Sequence, residues 1–324
     1  MTPHPVRPPL SLRVSVTNHC SLRCTYCMPA NGVPTSAREE VLSYKEILRF
    51  VCELKVRFGL SHVRITGGEP LVRPEIDRFV AMLAAVGVSD LALTTNGQQL
   101  AGLAGRLKRA GLSRINISLD TLSPETFAAI TRGGSLEKTL AGIAAAQEAG
   151  LRPVKLNVVV MRGRNEDEVR GLVRFAIEND YQIRFLELMP IGVAAAEFED
   201  RFVSSAEVRE RLSREFTLTA LPVEPHGTSR NFLANDRHGR SAIIGFISPY
   251  SEPFCAGCWR LRLTATGVLM GCLARSEGIP LAPLLRGDRD MDGEALAAAV
   301  EQALGMKRRN SEFIQPQAMV GIGG

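Results

Sequence analysis

The 324-residue sequence has no run approaching the roughly 18 consecutive apolar residues that a membrane span needs. Its Pro-rich opening, Met1 to Leu10, lacks the apolar stretch of a signal peptide. A cytoplasmic chain with no membrane association is therefore the expectation. Repeats and low-complexity tracts are missing as well, which sets solenoids aside. Lys307-Arg308-Arg309 is the one basic run that resembles a nucleic-acid patch, and it reads as a solvated face. Charge is not extreme either, with a formal net charge of +5 and a pI near 8.9. Such mild basicity suits an anionic ligand without requiring one.

Structural disulfides are not expected in a reducing compartment, yet the chain has seven cysteines, unevenly placed. Cys20, Cys24 and Cys27 crowd together, Cys255, Cys258 and Cys272 form a second group, and Cys52 stands alone. An odd count in two tight groups points to metal or cluster ligation. Cys52, beside Val51 on the apolar side of a helical pattern, reads as a small core residue.

From Leu12 to about Leu188, short apolar runs alternate with amphipathic helical patterns. The runs are Leu12–Val16, Val63–Ile65, Leu91–Thr94, Ile115–Leu119, Val154–Val160 and Ile183–Leu186. One helix, with apolar Ile47, Leu48, Val51, Leu54 and Phe58, opens on the capping box Ser43…Glu46. A second, with Val169, Leu172, Val173, Ala176 and Ile177, is predicted to open on the box Asn165…Glu168. Ser123-Pro124 opens a third, with proline at the favoured first helical position. Six βα units with short connections predict a parallel sheet, open or curled into part of a barrel. After about Gly192, strand candidates at Ala242–Ile247, Arg260–Leu263 and Val268–Met270 precede a last helix through Ala295–Leu304. The fold expected is α/β: that parallel sheet, open or curled, over 1–190, with a smaller α+β cap over 191–324.

Successive side chains of a strand point to opposite faces. Arg13, Ser15 and Thr17 alternate with Leu12, Val14 and Val16, and Arg64 and Thr66 alternate with Val63 and Ile65. Thr94, Asn116, Ser118, Lys155, Asn157 and Arg184 continue the polar face on later strands. Helices cover the apolar face, so four cations, Arg13, Arg64, Lys155 and Arg184, converge on the other. Unpaired buried cations cost several kcal/mol each. A lumen holding a ligand of several negative charges accounts for them; pairing with Glu69, Asp120 or Glu187 is the plainer alternative.

Three thiolates spaced CxxxCxxC can hold three irons of a cubane and leave the fourth iron open, whereas clusters usually take four cysteines. Cys255-Ala256-Gly257-Cys258 with Cys272 repeats that three-ligand logic. Zinc is the alternative, with His19 as fourth ligand at the first group and His226 or His238 at the second.

The first spacing, with Tyr26 just before its last cysteine, resembles the radical S-adenosylmethionine superfamily, and Gly67-Gly68-Glu69-Pro70 looks like its GGEP segment. Arg64-Ile65-Thr66-Gly67-Gly68-Glu69-Pro70-Leu71, Thr94-Thr95-Asn96-Gly97, Cys255-Ala256-Gly257-Cys258-Trp259-Arg260-Leu261-Arg262 and the ending Met319-Val320-Gly321-Ile322-Gly323-Gly324 narrow this. Together they resemble the GTP 3′,8-cyclase family of molybdenum cofactor biosynthesis over nearly the whole length.

That resemblance implies a partial (βα)6 TIM-type barrel for the first 190 residues and two 4Fe–4S clusters, one on Cys20, Cys24 and Cys27 and one on Cys255, Cys258 and Cys272. It implies a site for S-adenosylmethionine lined by Tyr26, Gly68, Ser118 and Met189. GTP contacts would come from Arg13, Arg64, Thr94, Lys155, Arg184, Arg260 and Arg262, with Arg13, Gly323 and Gly324 needed for turnover. It further implies an electron donor, a homodimer, and cyclic pyranopterin monophosphate synthase as the enzyme that takes the product. Asn18-His19 stands where the family more often has Asp-Arg, and the segment from Gly192 to Phe202 lacks an expected Trp. A two-cluster radical enzyme acting on a peptide is the rival reading. It usually carries more cysteines in the C-terminal part.

Overall fold

A computed structural model of the chain describes residues 10–223, 227–286, 292–307 and 312–323. The first half runs β1 (Ser11–Ser15), α1 (Tyr44–Phe58), β2 (His62–Thr66), α2 (Ile76–Val86), β3 (Asp90–Thr95), α3 (Ala104–Arg109) and β4 (Arg114–Ser118). It continues through α4 (Pro124–Thr131), α5 (Leu136–Glu148), β5 (Val154–Val160), α6 (Val169–Glu178) and β6 (Gln182–Glu187). Then come α7 (Phe198–Arg201), α8 (Ser205–Ser213), β7 (Thr217–Ala220), β8 (Arg230–Asn235), β9 (Ser241–Ile247), β10 (Arg260–Leu263), β11 (Val268–Met270) and β12 (Ile279–Pro280). The chain ends through α9 (Ala282–Leu285), α10 (Gly293–Gly305) and α11 (Met319–Ile322).

Each predicted strand forms, within a residue or two of its predicted ends. Local chemistry explains the helix starts. Ser43 and Glu46 make the reciprocal capping box of α1, and Ser123 accepts from the Thr126 N–H behind Pro124. Such caps are worth about 1 kcal/mol each. The box expected at Asn165…Glu168 does not form: α6 starts at Val169 with no side-chain cap. Asn165 instead accepts from the Met161 N–H (2.8 Å) and donates to the carbonyls of Asp120 (2.8 Å) and Val159 (2.9 Å). Glu168 turns to Thr121 and to the Leu122 N–H. A buried loop with unpaired polar groups outbid the helix end.

One twelve-stranded sheet has the order β12-β11-β10-β1-β2-β3-β4-β5-β6-β9-β8-β7. Neighbouring strands from β1 to β6 are all parallel, as six βα units require. The C-terminal strands, expected in a smaller α+β cap, join the same sheet. β10 pairs parallel with β1, and β9 pairs parallel with β6, so the second half extends the barrel sheet at both edges. Leu12, Val14, Ile65, Leu93, Ile117, Leu156 and Val158 are fully buried beneath the helices. Burying one such side chain stabilises by about 1.5–3 kcal/mol. Cys52 lies on α1 but is only half-buried, outside the core where it was expected.

Candidate active site

The strands put their functional residues on two levels. At their C-terminal ends, where parallel sheets place ligands, lies the loop carrying the first cysteines. It is pinned from several sides. Arg23 and Thr25 donate backbone N–H groups to Thr131 and Ile130 (3.0 and 2.9 Å), and Cys27 N–H closes a turn on Cys24 O (2.9 Å). The Cys20 sulfur accepts from Leu22 N–H (3.4 Å) and from the Asn96 amide (3.9 Å). Burial pushes the Cys20 thiol up to about 11 and the Cys27 thiol to about 12. Burial, then Cys27 and Asp120, raises the Cys24 thiol well above its ordinary value.

Two buried carboxylates support this level. Glu69, which ends the Gly67-Gly68 turn, accepts from Leu71 N–H (3.0 Å), Thr95 hydroxyl (2.7 Å) and Asn96 N–H (2.7 Å). Burial nevertheless raises its carboxyl to about 7. Asp120, after β4, accepts from Tyr26 hydroxyl and Val159 N–H, both at 2.8 Å, and burial lifts it to about 6. Both carboxylates are thus committed to the scaffold rather than to the cations.

Those cations lie deeper. Parallel register sets Arg13 beside Arg64 on one side and beside Arg262 on the other. Asn116 pairs with Thr94 and Lys155, and Asn157 pairs with Arg184. Arg13, Arg64, Lys155, Arg184 and Arg260 line one cavity of about 330 Å³ with Arg114, Ser229, Asn231 and Trp259. The Nε atoms of Arg13 and Arg64, Nη1 of Arg114, and Oδ1 of Asn116 and Asn157 are buried with no hydrogen-bond partner. Burial, then Arg262, Arg64, Arg260 and Arg184, holds Arg13 well below its usual range. Burial, then Arg114, Arg184 and Arg260, brings Arg64 down to about 9. Arginine does not give up its proton in proteins, so the repulsion calls for an anion.

The second triplet sits at the β10 edge. Cys255 opens a single 3-10 turn that Cys258 N–H closes on Cys255 O (3.1 Å), and Cys272 follows β11. Burial raises the Cys258 thiol, but Arg260 and then Lys307 outweigh it and the net shift is down. Between the levels runs the C-terminal tail. Met319 N–H donates to Cys27 O (3.0 Å), Gly192 N–H to Gln315 O (3.0 Å), and Arg262 Nη1 to Gly323 O (2.9 Å). Gly323 has φ +72°, and a Cβ there would lie 2.8 Å from Ser15 Cβ. Gly324 lies outside the described residues.

Residues 14–176 match the Radical SAM superfamily, and residues 181–313 match Molybdenum Cofactor Synthesis C. A GTP 3′,8-cyclase of Moorella thermoacetica is 43% identical over 320 residues, 97% of each chain. GTP 3′,8-cyclase 1 of Pseudomonas aeruginosa is 47% identical over 303 residues, 93% of this chain and 91% of its own. The chain belongs to the GTP 3′,8-cyclase family. Among solved structures, Streptococcus suis SuiB bound to S-adenosylmethionine has a TM-score of 0.63 at 18% identity, covering 89% of this chain and 68% of that one. SuiB bound to precursor peptide SuiA gives 0.63 at 17%, with 89% of this chain and 64% of that one. At such identity the likeness is one of fold, the partial barrel.

Around the cyclase-family motifs the structure sorts the sequence-predicted residues plainly. Tyr26, Gly68 and Ser118 lie at the upper level, on or next to the first-cysteine loop, the turn after β2 and the end of β4. A Cβ on Gly68 would run into the His19 carbonyl and lie 2.9 Å from Val320 Cγ2, so the turn, the cysteine loop and the tail meet there. Met189 packs with Ile191, Met270 and Ile322. His19 and His238, the zinc alternatives, are exposed, and His226 lies outside the described residues. Among the described residues no three or more of His, Cys, Asp and Glu close on a single-ion site. Cubane cysteines each take a different iron and need no common point.

Lys307 is not on a solvated face: its ammonium donates to the carbonyls of Arg260 and Gly271. Arg308 and Arg309 lie outside the described residues. Sequence reasoning missed Arg114, which is clamped by Asp90 (Nε to Oδ1, 2.8 Å) and stands two residues before Asn116 on the same face. Extending the alternation by one step finds it. Ser229, Asn231 and Trp259 reach the cavity through long-range pairing and had no local signal.

Proposed function

We propose that the chain is a lyase converting GTP to (8S)-3′,8-cyclo-7,8-dihydroguanosine 5′-triphosphate, the first step of molybdenum cofactor biosynthesis. The observation that carries the reading is the cationic cavity with its orphaned guanidinium Nε atoms, lined from Arg13, on the strand that leads into the first triplet, to Trp259 and Arg260, which follow Cys258. The residues fit the groups such chemistry needs. Cys20, Cys24 and Cys27 would hold one 4Fe–4S cluster, with N–H donors already on the Cys20 sulfur. Cys255, Cys258 and Cys272 would hold the other. A cluster held on the first triplet would, with S-adenosylmethionine and an electron supplied, furnish the reductive cleavage that yields a 5′-deoxyadenosyl radical for removal of the ribose 3′ hydrogen.

Everything else falls to the chain's own side chains. Arg13, Arg64, Lys155, Arg184, Arg260 and Arg262 neutralise the triphosphate, the arginines through charge-assisted and often bidentate hydrogen bonds. Thr94, held against Asn116 (3.5 Å), lines the wall above them. Tyr26, Gly68, Ser118 and Met189 shape the S-adenosylmethionine side. Fixing the nucleotide so that one ribose hydrogen faces the radical, and C3′ then faces guanine C8, is the catalytic contribution of this positioning. Gly323 passes where a Cβ would press on Ser15, and it serves turnover together with Gly324, which lies outside the described residues.

The reading carries with it a division near residue 190, an external electron donor, a homodimer, a cytoplasmic setting, and cyclic pyranopterin monophosphate synthase as consumer of the product. Among the described residues no helix is long and apolar enough to cross a membrane. The test is anaerobic purification, iron and sulfide analysis, then incubation with S-adenosylmethionine, reductant and GTP. About eight irons per chain from two cubanes and GTP-dependent 5′-deoxyadenosine are expected. Colourless protein with stoichiometric zinc would sink the proposal.

A further inference from the structure

Lys307 follows α10 by two residues. Its ammonium donates to Arg260 O, two residues beyond Cys258, and to Gly271 O (2.6 Å), the residue before Cys272. One side chain therefore bridges the two segments that carry the second triplet. The bridge is backed by α10 itself, because a Cβ on Gly271 would run into the Ala303 carbonyl of that helix. An ammonium has three donors, and two are spent on neutral carbonyls that leave its charge intact. Among the described residues no carboxylate pairs with it; the charged groups acting on it are Cys258, Cys272, Arg260 and Arg262. Burying a cation beside two more cations is unfavourable unless an anion is near. The anion that fits this place is the one the cysteines themselves would hold.

We infer that Lys307 is a positioning residue of the second iron–sulfur cluster, fastening the Cys255–Cys258 turn to the Cys272 loop and placing a fixed positive charge that raises the cluster's reduction potential. This rests on the reading of Cys255, Cys258 and Cys272 as cluster ligands. Net charge and hydrogen bonding around a cluster set its potential, and a neighbouring cation favours the more negative, reduced state.

The test uses the full chain carrying Cys24→Ala and Cys27→Ala, so that only the second cluster titrates, with Lys307→Met and Lys307→Arg added separately. After anaerobic reconstitution, iron is counted and the reduction is titrated under electron paramagnetic resonance. The Lys307→Met protein is expected to keep about four irons while its reduction equilibrium shifts at least tenfold toward the oxidised form. That is 59 mV or more to the negative for one electron. Lys307→Arg is expected to restore the parent potential. If Lys307→Met takes up no iron but Lys307→Arg does so at the parent potential, the charge is again what the site requires. An unchanged potential in an iron-replete Lys307→Met protein overturns the inference, as does loss of iron from both substitutions. A parent protein without iron overturns the cluster reading of the triplet, and the inference falls with it.

Discussion

The two cysteine triplets have the same number of ligands and opposite surroundings. Around Cys20, Cys24 and Cys27 the charged neighbours are carboxylates, Glu69 beside Cys20 and Asp120 beside Cys24, and burial drives all three thiols up. Around Cys258 and Cys272 the neighbours are Arg260, Arg262 and Lys307, and the Cys258 thiol is driven down. The acidic setting suits a ligand with a positive centre, such as a sulfonium. The basic setting suits a polyanion. Spacing identifies a ligand set; the neighbouring charges tell the two sets apart.

The largest effect comes from removing a ligand on either side. Cys24→Ala should abolish 5′-deoxyadenosine formation while about four irons remain at the other triplet. Cys258→Ala should also leave about four irons, with no cyclised product detected by chromatography. If the two proteins behave alike in S-adenosylmethionine cleavage, the contrast between the triplets is lost.

Next in size is a pH effect confined to the first side. Glu69 titrates near 7 when folded against 4.5 as its ordinary value. Between those values the folded chain keeps a proton that the unfolded chain releases. The stability this one group contributes is therefore fullest below about pH 4.5 and is lost as the pH rises to about 7, by on the order of 3 kcal/mol. Urea midpoints of the iron-free protein across that range should show the slope, and Glu69→Gln should reduce it to the part left by Asp120, whose carboxyl is lifted to about 6.

Arg13→Ala tests the cationic side. Losing a charged hydrogen-bond donor costs about 1.5–3 kcal/mol, so GTP should bind roughly tenfold to a hundredfold more weakly by calorimetry. Iron at the first triplet should be unchanged; its loss would make Arg13 structural. The smallest effect is expected at the junction of the two sides. Gly323→Ala forces a side chain into left-handed backbone against Ser15, a strain of about 1–2 kcal/mol. It should loosen the tail, read as faster proteolysis near Met319, and lower turnover with the iron content intact.

Much of this was legible because it is local. Period-two alternation fixed which of Arg13, Val14, Arg64 and Ile65 face the lumen, and spacing alone grouped the cysteines. What depended on distant pairing was not. Nothing near Arg260 announces that β10 lies beside β1, or that Lys307 reaches back to it. The Asn165 box failed for a related reason: a local cap lost to groups 45 residues away, at Asp120.

The placement of β9 and β10 also governs how the chain can be made. During synthesis β1 to β6 leave the ribosome in order, but with both outer strands bare until residues 241–263 have emerged. Bare edges invite pairing with other chains. The nascent barrel thus depends on its last third to close both flanks, and a message truncated near residue 190 would yield an aggregating fragment rather than a half-enzyme.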